Sequence, residues 1–169
     1  MERNAKRFGW IAAALLLTGT LAQAQDLVRE ARYADITVGH SVATILQIGA
    51  YNNARLDQSG AQQNQAVSQT GSRNQAVANQ SGMNNSMTAQ QSGTANSVQV
   101  SQAGNNNQAG TAQSGAENAA SVVQTGAYNQ AFVGQYGQAN QASVTQAGFG
   151  GAVSVKQFGD NMKASATQR

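Results

Sequence analysis

The chain of 169 residues has no cysteine, no proline, one histidine and one tryptophan, and only 10% charged and 5% aromatic residues. Each shortage excludes something. Without cysteine there are no disulfides, so stability has to come from backbone pairing and packing. The one histidine, His40, has no Cys/His cluster around it in the sequence, and neither a paired-carboxylate site nor a phosphate-binding glycine loop is present. An enzyme is therefore the poorest reading, and no cofactor or metal is expected. Charge excludes a nucleic-acid partner. The formal charge of +3 depends on Arg3, Lys6 and Arg7, near the start of the chain; beyond residue 24, seven basic face six acidic side chains, with no basic stripe.

Those first residues, "MERNAKRFGWIAAALLLTGTLAQA", have a basic start, an apolar run from Phe8 to Leu17 and the small-residue pattern Ala22-Gln23-Ala24. This is the pattern of a secretory signal, with residues 1–24 expected to be removed after Ala24 and the protein exported. The apolar run is too short to cross a bilayer.

What fills the rest is Gln, Asn, Gly, Ala and Ser in strict register. Glutamine recurs every eleven residues, at Gln47, Gln58, Gln69, Gln80, Gln91, Gln102, Gln113, Gln124, Gln135, Gln146, Gln157 and Gln168. With each glutamine as place eleven of its unit, place two of the next unit is always glycine: Gly49, Gly60, Gly71, Gly82, Gly93, Gly104, Gly115, Gly126, Gly137, Gly148 and Gly159. Place five is asparagine in eight of eleven units, at Asn52, Asn74, Asn85, Asn96, Asn107, Asn118, Asn129 and Asn140. Places seven and nine are mostly Ala and Val. Compositional bias does not hold an eleven-residue register without an insertion or deletion over such a length.

Places five, seven, nine and eleven alternate, so in an extended strand they share one face, which reads Asn, Ala, Val, Gln. The glycine is expected to open a four-residue turn, where positive φ or close backbone approach is cheap for glycine alone. Two units make a strand–turn–strand coil of 22 residues, and coils stack at roughly 4.8 Å. Residues 41–47, "SVATILQ", fit the register, which predicts an all-β solenoid of twelve strands in six coils over residues 41–169. A right-handed helical supercoil also has an eleven-residue period. A glycine in every unit would cost such a helix about 1 kcal/mol each, and no unit has a wide apolar stripe.

One coil buries little beyond an Ala and a Val per strand. Stacked coils pair every backbone group, and Gln and Asn amides form ladders in which a neighbouring copy supplies the hydrogen-bond partner that burial demands. Charges support the register: Arg55, Asp57, Arg73, Glu117, Lys156, Asp160 and Lys163 all fall at outward or turn places. So do Tyr51, Tyr128, Phe132, Tyr136, Phe149 and Phe158. One unit departs: in "QSGAQQNQAVSQ" the Asn and first Ala arrive a place late, at Asn64 and Ala66. It needs a longer turn or a bulge, or it turns Gln63 and Gln65 inward.

The pattern Gln-x-Gly-x-x-Asn-x-Ala-x-x-x-Gln, as in "QTGSRNQAVANQ" and "QTGAYNQAFVGQ", resembles the curlin repeat over residues 41–168. The resemblance implies a subunit of curli, the extracellular functional amyloid of bacterial biofilms, a fimbrial polymer serving adhesion. It also implies export through a dedicated outer-membrane pore with accessory factors, directed by the segment after the signal, here residues 25–40. Implied partners are other curlin subunits, self or the paired major or minor subunit, at the cell surface, giving a homo- or hetero-polymer. The ending "GDNMKASATQR" resembles the minor, nucleating subunit, since the last two units replace the asparagine by Gly151 and Met162 and carry Lys156, Lys163 and Arg169. A major, fibre-building subunit is the alternative, because terminal repeats are commonly atypical and the central units are regular.

Two other classes compete. A monomeric binding solenoid needs a flat outward array of one residue type, and place eight runs Arg55, Ala66, Val77, Thr88, Gln99, Gly110, Ser121, Phe132. A permanently disordered Gln/Asn-rich chain does not require strict register.

Overall fold

The computed structural model describes the backbone of residues 32–38 and of residues 40–169, with side chains from residue 40 onward. The expected signal segment 1–24, with its expected cleavage residues Ala22 and Ala24, and residues 25–31 of the expected export segment lie outside the described residues.

The described chain contains thirteen strands and no helix. They are β1 (Arg32–Val38), β2 (Ser41–Ala50), β3 (Asn53–Ala61), β4 (Asn64–Ser72), β5 (Gln75–Met83), β6 (Ser86–Thr94), β7 (Ser97–Asn105), β8 (Gln108–Ala116), β9 (Ala119–Ala127), β10 (Gln130–Gln138), β11 (Gln141–Phe149), β12 (Ala152–Phe158) and β13 (Lys163–Gln168). From β2 onward they alternate between two sheets. One runs β1-β2-β4-β6-β8-β10-β12 and the other β13-β11-β9-β7-β5-β3. All pairs from β2 onward are parallel with a constant offset of 22 residues, such as Gln69↔Gln91 and Gln80↔Gln102. The molecule is a β-solenoid of six coils, two units each.

Alternation decides what lies between the sheets. In β5 the burial pattern puts Ala76, Ala78 and Gln80 inside, with Gln75 and Asn79 exposed. Val77 is on the outward face and half-buried. The interior stacks like on like: Val98 and Val100 in β7 lie over Ala120 and Val122 in β9. Among the described residues fourteen apolar side chains are buried, but so are twenty polar ones, nearly all Gln and Asn. An aliphatic core this thin does not hold the fold by apolar burial alone, so the buried amides have to be satisfied.

The corners are tighter than the sequence suggested. No four-residue turn begins at the glycine: the strand continues through it, and Gly71, Gly93 and Gly115 remain paired in register. The chain instead bends at place two, with glycine φ between 102° and 125° across the eleven units, and turns at places four and five. Place four has φ of 54–66° wherever it is not glycine, as at Arg73, Ala95, Glu117 and Tyr128. A Cβ on Gly93 would lie 2.0 Å from the carbonyl oxygen of Gly115. The glycine is required by the coil above as much as by its own φ.

The irregular coil turns both glutamines inward: Gln63 and Gln65 are buried and Asn64 is exposed. No residue is added to the strand, because β4 keeps the 22-residue offset to both neighbours. The first strand had no counterpart in the twelve expected. β1 folds back antiparallel on β2, from Arg32↔Gln47 to Val38↔Ser41, across a two-residue loop in which His40 has φ of 66°.

Candidate functional site: amide ladders and open edges

Each ladder glutamine comes from place eleven, the last inward position of its strand, so copies stack at the strand spacing. In the first sheet Gln47 Nε2 donates to Gln69 Oε1, and the chain of bonds runs on through Gln91, Gln113 and Gln135 to Gln157 at 2.6–2.9 Å. In the second, Gln58, Gln80, Gln102, Gln124, Gln146 and Gln168 are linked in the same way at 2.7–3.4 Å. The other Nε2 hydrogen crosses the core to a carbonyl of the opposite sheet, as from Gln69 to Asn53 (3.0 Å) and from Gln91 to Gln75 (3.0 Å). Thus each central glutamine ties its coil to the next and one sheet to the other.

Asparagines do the same work at the corners, between backbone bonds such as those from the Arg73 N–H to the Ala50 carbonyl and from the Gln75 N–H to the Asn96 carbonyl. Asn96 Nδ2 donates to the Gly115 carbonyl of the next coil at 3.0 Å and to the Ser92 carbonyl of its own corner at 3.2 Å. Its Oδ1 accepts the backbone N–H of Asn118 at 3.1 Å. The bond to the next coil's glycine carbonyl recurs from Asn52, Asn74, Asn85, Asn107, Asn118, Asn129 and Asn140 at 2.6–3.1 Å. Short side chains fit here: Nδ2 reaches both carbonyls while Oδ1 stays aimed at the N–H above.

Gln63 shows what the substitution loses. Its longer side chain still donates to the Ser59 and Gly82 carbonyls, but Oε1 is buried with no partner. Among the described residues, Gln65 Oε1 and Thr111 Oγ1 are the other two orphaned atoms. One coil earlier, Ser41 Oγ takes over the acceptor's part for the backbone N–H of Gln63 at 3.1 Å. That role of Ser41 was not read from the sequence, although its place-five position was the signal.

Both ladders have a direction. Every glutamine donates toward the C-terminal coil, so the C-terminal end presents Nε2 groups and the N-terminal end presents Oε1. At the C-terminal end β12 and β13 each have a neighbour on one side only. The last two corners lack the asparagine; Asn129 and Asn140 are the last to accept, from the backbone N–H of Gly151 and Met162 at 3.0 Å. Aromatic side chains cluster on the same coils. Tyr136 stacks on Phe158 with centroids 5.0 Å apart, and Tyr128 meets Phe149 at the same distance.

A parallel two-sheet solenoid with continuous, directional amide ladders is a cross-β protein folded within one chain. The curlin associated repeat matches this chain at residues 66–93, 93–126 and 115–148, which supports the curlin family and, through it, a structural subunit. No curated protein and no solved structure gives a match.

Proposed function

We propose that this chain is an exported subunit of a curli-type extracellular amyloid that templates curlin polymerisation at the cell surface, as the minor, nucleating subunit. Residues 1–24 serve as the signal peptide cut after Ala24, residues 25–40 as the export segment, and residues 41–169 as the assembling domain. The repeat match supports a self-assembling structural role outside the cell. The observation that carries the templating step is the pair of glutamine ladders running through all six coils to uncovered strand edges. An open β-edge captures another strand by main-chain pairing, and here the next ladder amide is already in register. Donor and acceptor ends are complementary head to tail, whereas equal ends meeting would set donor against donor or acceptor against acceptor.

The nucleating role over the fibre-building one is supported by the last two corners, where Gly151 and Met162 take the place of ladder asparagines. An arriving coil finds no corner amide there. Such an end takes a further copy less readily than a central coil would, which slows growth by this chain alone, while one end event suffices for a nucleator. The test is to add trace amounts of the purified exported chain to an excess of a major curlin subunit and follow the lag. A lag abolished at substoichiometric dose is expected; incorporation in bulk proportion with an unchanged lag marks a fibre-building subunit.

A further inference from the structure

The two ends of the solenoid are not equivalent, and the difference lies in β1. At the C-terminal end both sheets stop at a strand with a free side, β12 and β13. At the N-terminal end, among the described residues, the second sheet stops at β3, equally free, but the first sheet continues one strand further to β1. That pairing is antiparallel in an otherwise parallel stack and takes all seven residues of β1.

We propose that β1 is an intramolecular cap, and that it occupies the place that β12 of a second copy takes when chains join head to tail. This rests on the polymer reading above. A strand edge accepts one neighbour, so β2 pairs either with its own β1 or with an incoming strand. Continuing the 22-residue offset past the end of the chain sets Gln157 against Gln47 of the next copy and Gly159 against its Gly49. The glycine column specifies that joint. A Cβ on Gly137 would strike the Gly159 carbonyl at 2.1 Å, whereas beside Gly159 nothing lies nearer than Met162 Sδ at 3.8 Å. The notch at Gly159 is the one that a following glycine carbonyl fills everywhere else in the column.

The cap forms locally and the joint does not. β1 reaches β2 through a two-residue loop, so it closes at small entropic cost and precedes any encounter between chains. Each joint then requires β1 to leave, and the rate of joining scales with the fraction of chains whose β2 edge is open. The C-terminal face has no such gate.

The chain has no cysteine, so a single engineered pair locks the cap cleanly. Asp35 and Thr44 are directly opposed partners across β1 and β2. In the exported chain carrying Asp35→Cys and Thr44→Cys, oxidation is expected to slow fibre growth by about tenfold or more relative to the same protein reduced. Circular dichroism of the two forms verifies that oxidation leaves the strands intact. A second variant, Asp35→Pro with Ile36→Pro, cannot pair through β1 and is expected to shorten the lag by about twofold or more. Equal growth of oxidised and reduced forms, or an unshortened lag in the proline variant, overturns the cap. Failure of the unsubstituted and reduced chains to polymerise at all overturns the polymer reading, and the cap with it.

Discussion

Gln63 and Asn96 occupy the same place in their units and differ by one methylene. In Asn96 both amide hydrogens and the oxygen are used; in Gln63 the hydrogens are used and the oxygen is orphaned. A buried, unpartnered acceptor costs about 1–3 kcal/mol. Gln63→Asn shortens the side chain so that its oxygen meets the backbone N–H of Asn85, as Asn85 does for Asn107 at 3.1 Å. It is expected to stabilise the protein by about 1–2 kcal/mol, read as a raised urea midpoint. An unchanged or lowered midpoint would mean that the corner amides do not limit stability there.

Among elements, the corner decides whether strands become coils. Non-glycine residues in the left-handed region cost about 1–2 kcal/mol each, and place four holds one in nearly every unit. They persist because stacking fixes them: the place-four N–H of Arg73 donates to the Ala50 carbonyl at 3.0 Å, and Ala95 repeats this with Ser72. Two alanine substitutions separate φ from stacking. Gly150, at place four, has φ of 70° and nothing within 4 Å of an added Cβ. Gly150→Ala is therefore expected to cost no more than about 1–2 kcal/mol. Gly93→Ala drives a methyl group into the Gly115 carbonyl and is expected to break the stack at that coil, so that strand signal by circular dichroism and fibre formation are both lost. Comparable mild effects from both would remove the glycine column from the account.

Much of the whole molecule is legible in its sequence. An eleven-residue register of Gln, Gly and Asn fixes the strand period, the inward face and the two-unit coil, because a one-residue slip would send charges such as Arg55 and Lys156 inside. The corner was less legible. Glycine at place two reads as the start of a turn, yet it lies inside the strand, and what demands it is a carbonyl one coil away. That contact joins residues 22 apart and has no local sequence signature. β1 is not legible in the register because residues 32–38 precede the repeat that begins at β2, although "ITVGHSVATI" has two β-rich runs around a two-residue link.

The central claim is that the coils within one chain are the rungs of the polymer, so that a joint between chains repeats the joint between coils. Six coils at about 4.8 Å then set one chain about every 29 Å of protofilament. The decisive measurement is mass per length of unstained fibres of the exported chain by scanning transmission electron microscopy. The account requires one chain, 145 residues once the proposed 24-residue signal is removed (169 less 24), per about 29 Å of each protofilament. A density about sixfold higher, one chain for every 4.8 Å, would mean that chains stack as flat in-register layers, and would contradict it.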